Sequence, residues 1–206
     1  MHSERGLDRL VNFSDAVAAI AITLIILPLV DSARDVEAES VAEFLHANAG
    51  PLAAAALSFV VIAAFWRQHH RLFESVTDYS RVVVWFNFVW LSSIVFLPLP
   101  TVLLVQVDQS DDRLASVLYI GTMLVSMIAL AIVESSARHD GLLTDEARDR
   151  PRRRLLPGRW EPTAVMALAL LIAATVPGVG ISSLLVLFVQ TPIALLRRRR
   201  SATPSP

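Results

Sequence analysis

The feature that most constrains this chain is a succession of apolar runs, each close to the length a helix needs to cross a hydrocarbon layer, about 20 residues. Six such runs can be drawn, over residues 8–30, 45–66, 82–107, 114–133, 162–176 and 181–196. The second joins the dense stretch 51–66 to an amphipathic lead-in from Val41. The third is the longest and carries Pro98 and Pro100, which are expected to kink or thin it near one end, because proline lacks an N–H and crowds the carbonyl four residues back. The fifth and sixth are separated only by Pro-Gly-Val-Gly at 177–180, a turn that makes a tight helical hairpin. The chain has 206 residues, 54% of them hydrophobic and 18% charged. A single soluble core of that length has too little interior for so much apolar surface, so lipid must solvate much of it. The fold class expected is therefore all-α, a polytopic membrane protein with six transmembrane helices in a single domain over 1–206. The first run holds Asp15 and is too long for the core of a cleavable leader, so it reads as a retained helix. No run of polar residues is long enough for a separate soluble domain, and the tail 201–206 reads as disordered.

The charges test this arrangement independently, because loops on the cytoplasmic side are enriched in basic residues. Every basic residue is Arg, 18 in all. Arg5 and Arg9 precede the first run, Arg67, Arg71 and Arg81 flank the connection from the second to the third, seven Arg from Arg138 to Arg159 fill the next long connection, and four follow the last run at 197–200. The alternate connections hold only Arg34 and Arg113 among the acids Asp31, Asp35, Glu37, Glu39, Glu43, Asp108, Asp111 and Asp112. An even number of spans with both termini in the cytoplasm satisfies every loop, and the location implied is the cell membrane. The net charge of −1 gives no sign of a nucleic-acid partner, and without Cys the fold uses neither disulfides nor thiolate metal sites.

The first run is the unusual one. An Asp at position 15 is costly in an apolar helix unless it is paired or faces water. Arg9 stands about 240° around the helix from it and cannot pair with it there, so partners must come from other helices. Candidates on the same side are Trp66, Arg67, His69, His70 and Arg71, and Asn87 in the third run. Ile20, Leu24 and Leu27 follow i, i+4, i+7 spacing and share one face, which extends back to Phe13 and the Ala16-Val17 pair and forward to the acid Asp31. Asp15 points about 140° away from Ile20, and Ala16, Ala18, Ala19 and Ala21 permit close helix packing. His69 and His70 read as interfacial residues rather than metal ligands, on the ground that no carboxylate stands beside them at ligand spacing. Alone, an Ile/Leu face at helical spacing is usually packing core or lipid contact.

Arg9, Phe13-Ser14-Asp15, Ala19-Ile20, Thr23 and Leu27-Pro28, followed by Trp66 and His69-His70-Arg71-Leu72-Phe73, resemble the prokaryotic members of the transmembrane protein 175 family of potassium channels. The resemblance implies a homotetramer in which the first helix of each subunit lines a central pore, with an hourglass constriction of bulky aliphatic side chains. The matching positions are Ile20, Leu24 and Leu27 for the constriction, with Thr23 as the polar ring of the selective site. Arg9, Ser14 and Asp15, with Trp66, His69 and His70, would form an interhelical network behind the pore, and Asp31 would stand at its mouth. K+ would be the permeant ion, passing transiently near Ile20 and Thr23, with no fixed metal and no cofactor. The partners implied are further copies of the chain and membrane lipid, with no small-molecule substrate. An enzyme is disfavoured, since the chain has no paired intramembrane Asp, no Gly-x-Ser-x-Gly and no His-Glu-x-x-His. The rival reading is a proton-coupled secondary transporter using Asp15 with His69 and His70. Its ionisable groups lie near the helix ends, whereas carriers place theirs at the midplane.

Overall fold

The computed structural model describes residues 4–35, 40–106, 113–149 and 157–175. Among these the regular structure is helical: α1 (Glu4–Leu24), α2 (Leu27–Asp35), α3 (Val41–Ala47), α4 (Ala49–Phe73), α5 (Arg81–Phe96), α6 (Pro98–Gln106), α7 (Arg113–His139), α8 (Asp145–Arg148) and α9 (Pro157–Thr175). One isolated antiparallel bridge, Val76 to Leu143, is the exception. Four segments are long and apolar enough to cross a membrane: Arg5–Arg34, Ala49–Phe73, Arg81–Leu104 and Leu114–His139. The sixth run at 181–196, the turn at 177–180, the Arg cluster at 197–200 and the tail lie outside the described residues.

Proline sets two of the helix breaks. Pro28 cannot donate to the Leu24 carbonyl, and the first span is interrupted at Ile25 and Ile26 before resuming as α2, with Leu29 and Val30 both bonded back to the Ile26 carbonyl. Pro98 does the same to the third span, which breaks at Leu97. There the Thr101 hydroxyl donates to the Leu97 carbonyl at 2.9 Å. Asn48 divides α3 from α4, its side-chain amide returning to the Phe44 carbonyl.

α4 and α5 each bury one stripe. On α4 it is Ala55, Ser58, Ile62, Phe65, His69 and Leu72, and on α5 Val83, Asn87, Trp90 and Ile94, both at the three-and-four spacing of a helix face. α7 packs chiefly between α5 and α9, while α1 lies against α4 and α5. Hydroxyl pairs join neighbours at depth, Ser93 with Ser126 at 2.6 Å between α5 and α7, and Ser58 with Thr101 at 2.7 Å between α4 and α6. Such bonds contribute about 0.6 kcal/mol each on average in membrane proteins. Large apolar side chains face outward around the bundle, among them Phe59, Val60, Trp85, Val95 and Leu171, as a lipid-solvated surface requires.

Several of the Arg-bearing segments gather at one end. The start of α1 touches the α4–α5 connection at Tyr79, and that connection pairs with the segment after α7. Arg5, Arg9, Arg71, Arg81 and Arg138 therefore share one end of the bundle.

Candidate functional site

α1 carries two opposed stripes. Ser14, Ala18, Ala21 and Ile25, continued by Leu29 on α2, are buried against the bundle. Phe13, Ile20, Leu24 and Leu27 are exposed, with Ile20 at 58%, Leu24 at 42% and Leu27 at 48%. Thr23 stands on this exposed side as well. The face expected to run unbroken through Leu27 does not, because the interruption at Ile25 and Ile26 separates Ile20 and Leu24 on α1 from Leu27 on α2.

Ser14 sits at the centre of a buried chain of hydrogen bonds whose direction is fixed by its chemistry. The Ser14 hydroxyl donates to the Leu10 carbonyl at 2.8 Å, and the Asn87 amide NH2 donates to Ser14 Oγ at 2.9 Å. The Asn87 carbonyl oxygen, 2.8 Å from His69 Nε2, must then accept, so His69 carries its proton on Nε2. Ser14, His69 and Asn87 are fully enclosed. The His69 ring is stacked on Trp90, centroids 4.1 Å apart, and lies 4.4 Å from Phe73. Its Nδ1 has no hydrogen-bond partner among the described residues.

A second link runs beside this chain. The Trp66 indole N–H donates to Asp15 Oδ1 at 2.8 Å, and the same indole stacks on His70 at 5.3 Å. His70 Nε2 lies 3.4 Å from Glu74, which corrects the reading that no carboxylate stands beside the His pair. Glu74 follows His70 by four residues, one helical turn. α4 runs on past the apolar span drawn to 66, as far as Phe73, and Glu74 is its C-cap. Arg9 is exposed and has no hydrogen-bonding or ionic partner among the described residues, so the structure does not bring it to Ser14 or Asp15. Asp31 is exposed on α2 and meets Arg34 at 3.5 Å, a surface pair worth little in water.

The Thr23 hydroxyl donates to the Ile20 carbonyl at 2.8 Å. Its proton is thus turned back onto α1, and the remaining oxygen lone pairs face the exposed side. Phe13, two turns below Ile20 on the same face, meets Phe88 of α5 at 6.2 Å.

A helical bundle with an apolar outer surface and several membrane-length spans, in which one helix is braced by a buried polar chain and leaves its opposite apolar face uncovered, is a multi-pass membrane protein. The profile of the family described as endosomal/lysosomal potassium channel TMEM175 matches residues 9–98. A potassium channel of Chamaesiphon minutus is 32% identical over 148 residues, 70% of this chain and 72% of that protein. A potassium channel of Streptomyces collinus is 29% identical over 204 residues, 94% of this chain and 96% of that one. The crystal structure of a lysosomal potassium-selective channel TMEM175 homolog from Chamaesiphon minutus superposes with a TM-score of 0.68 at 24% identity, covering 97% of this chain and all of that one. This likeness establishes a common fold. The chain belongs to the TMEM175 family, a family of ion channels and not of enzymes.

Proposed function

We propose that the protein is a passive, potassium-preferring cation channel of the cell membrane, a homotetramer with six spans per subunit and both termini cytoplasmic, in which α1 and α2 of each copy line a central pore. The observation that carries this reading is the division of α1 into a braced stripe and a bare one. Ser14, Ala18, Ala21 and Ile25 spend the helix's packing capacity on the subunit's own bundle, and Ile20, Leu24 and Leu27 are left without cover in a single copy. Symmetry-related copies arranged about an axis bring that bare stripe together, as closed oligomers do.

Bulky aliphatic rings from Ile20, Leu24 and Leu27 make a constriction that excludes water when narrow, so conduction is governed by its width and by dewetting. No formal charge stands between Thr23 and Leu27. Selectivity then falls to dipoles, and Thr23, with its proton engaged by Ile20, presents only acceptor oxygen to a passing ion. K+ would dwell transiently beside Ile20 and Thr23, and no cofactor is needed. Both relatives are potassium channels, which favours this ion.

The test is reconstitution in liposomes under a potassium gradient. Flux is expected, rising when Ile20→Asn or Leu27→Asn wets the constriction. Absence of flux, or flux indifferent to both substitutions, would sink the reading, and cross-linking that yields only monomers would remove its tetramer.

A further inference from the structure

The Arg-rich end of α1 is held by a contact that the buried Ser14 chain does not explain. A Cβ placed on Gly6 would lie 2.5 Å from Tyr79 Oη, 3.1 Å from Cε1 and 3.2 Å from Cζ, so the tyrosine ring rests directly on the helix where there is no side chain. Glycine is a poor residue for a helix interior, and here its bareness is what admits the ring.

Tyr79 in turn is not on a free loop. Two backbone bonds clamp its connection to the segment after α7: Thr77 N–H donates to the Leu142 carbonyl at 2.8 Å, and Thr144 N–H to the Ser75 carbonyl at 3.0 Å. Val76 and Leu143 sit opposite each other between them and are both buried. The α7 side is fixed by its own stop signal. Gly141 takes φ +71, its N–H returns to the Arg138 carbonyl, and Leu142 N–H returns to Ala137, the paired bonds of a Schellman ending. Asp140 accepts a hydrogen bond from Ser136, and the hydroxyl of Ser80, the N-cap of α5, lies near enough to help hold its carboxyl below the ordinary value. The ring is thus mounted on a clasp joining α4, α5 and α7.

We propose that Tyr79 is a positioning residue for the pore helix: seated on Gly6 and mounted on the 75–77/142–144 clasp, it sets where the Arg-rich end of α1 stands and thereby the width of the constriction. The proposal rests on the reading that α1 lines the pore. Its leverage follows from helix geometry. Gly6 lies about 12 Å along the axis from Ser14, where the helix is pinned to Asn87, and Ile20 lies about 9 Å beyond it. If α1 tilts as a rod about that pin, a shift of about 1 Å at Gly6 moves Ile20 by roughly three quarters as much in the opposite sense.

Gly6→Ala and Tyr79→Ala test this, with Tyr79→Phe as the variant that keeps the ring. Two readouts are used on the full-length reconstituted protein: potassium flux, and the mobility of a spin label on Arg5→Cys, which is specific because the chain has no other Cys. Gly6→Ala and Tyr79→Ala are each expected to change flux at least threefold and to loosen the label. Tyr79→Phe, which keeps the ring but loses Oη, the atom nearest Gly6, should fall between the wild type and Tyr79→Ala, and the double variant should be no worse than Tyr79→Ala, since a methyl on Gly6 has nothing to strike once the ring is gone. A complementary arm joins the clasp covalently. The non-hydrogen-bonded geometry of Val76 and Leu143 sets their Cα atoms about 4.5 Å apart, within disulfide reach, so oxidised Val76→Cys/Leu143→Cys should keep wild-type flux and Tyr79→Ala should still alter it. Wild-type flux with a wild-type spin-label signal in both Gly6→Ala and Tyr79→Ala overturns the proposal, as do additive effects in the double variant. If the wild type carries no flux, it is the pore reading that fails. The link from ring to constriction falls with it, and the label alone then decides whether Tyr79 positions α1.

Discussion

Asn87 is the most instructive residue to remove, because both of its polar atoms are committed. Replacing it with Leu takes the acceptor from His69 Nε2 and the donor from Ser14 Oγ, both fully enclosed. Ser14 keeps its bond to the Leu10 carbonyl, so the main cost is the orphaned His69 N–H. An unsatisfied buried donor costs about 1–3 kcal/mol, and interhelical hydrogen bonds in membranes reach at most about 1.7 kcal/mol, which together place Asn87→Leu at about 1.5 kcal/mol. Ser14→Ala orphans one of the two Asn87 amide hydrogens and should cost about 1 kcal/mol. With Asn87 already gone, however, Ser14→Ala has no partner left to strand, and its further cost should drop to about 0.3 kcal/mol. The cycle then yields a coupling of about 0.7 kcal/mol, above the 0.3–0.5 kcal/mol within which independent sites add. The assay is SDS titration from mixed micelles, followed by far-UV circular dichroism for the wild type, both single variants and the double. Additive single effects would show that the chain of bonds does not act as a unit. The bond to His69 has its own check: His69→Gln, whose amide can still bond Asn87, should lose less stability than His69→Phe, and equal losses would show that this bond contributes nothing.

Three further outcomes follow from local geometry. Gly141→Ala, at φ +71, should lower stability by about 1 kcal/mol, seen as a lower thermal midpoint; no change would mean that the ending of α7 is not fixed by its positive φ. The His139 hydrogen bond, followed by those from Ser80 and Ser136, holds the Asp140 carboxyl below its ordinary value of 3.8. A depressed carboxylate contributes stability above its unfolded pKa and loses it as pH falls through the folded one, so the wild type should weaken relative to Asp140→Asn as pH is lowered below 3.8, and parallel pH profiles would refute the role. Thr23→Val should leave the unfolding midpoint in place, since the hydroxyl is exposed and bonded only to its own helix, while reducing the preference for K+ over Na+ in bi-ionic potentials; an unchanged preference would move selectivity elsewhere.

What the sequence could disclose was set by how local each signal is. The two stripes of α1 follow from spacing alone, since positions 14, 18, 21 and 25 and positions 20, 24 and 27 fall on different sides of any helix. The break in that helix was harder to see. Pro28 marks it, but a proline inside an apolar run can kink, end or merely thin a helix, and where the backbone gives way depends on the packing of Ile25 and Leu29 against the bundle. Asn87 stands out in the sequence as a candidate partner, but what it joins does not: its bonds reach residues 73 and 18 positions away, and no periodicity reports such distances. The clasp leaves a local mark in the sequence. Gly141 lies between the polar end of α7 and Leu142, the pattern of a Schellman ending, and only its pairing with residues 75–77 required the fold.

Because Ile20 and Leu24 precede the break and Leu27 follows it, the aliphatic face is divided between two short rods joined at Ile25 and Ile26. α1 is pinned through Ser14 to Asn87 and His69, whereas α2 is fastened by the buried side chain of Leu29 and by half-buried Pro28 and Ser32. A rotation at the joint would therefore move Leu27 while leaving Ile20 and Leu24 in place. Pro28→Ala separates the two rods' contributions: alanine restores the N–H that can bond the Leu24 carbonyl and removes a helix penalty of about 3 kcal/mol, favouring one continuous rod. The unfolding midpoint should hold or rise, and Leu27, carried onto the α1 register, should shift in azimuth relative to Ile20. Potassium flux is expected to change at least threefold without loss of folded protein. An unaltered flux from a stably folded Pro28→Ala protein would mean that the joint plays no part in setting the constriction, and that Ile20 and Leu24 alone define it.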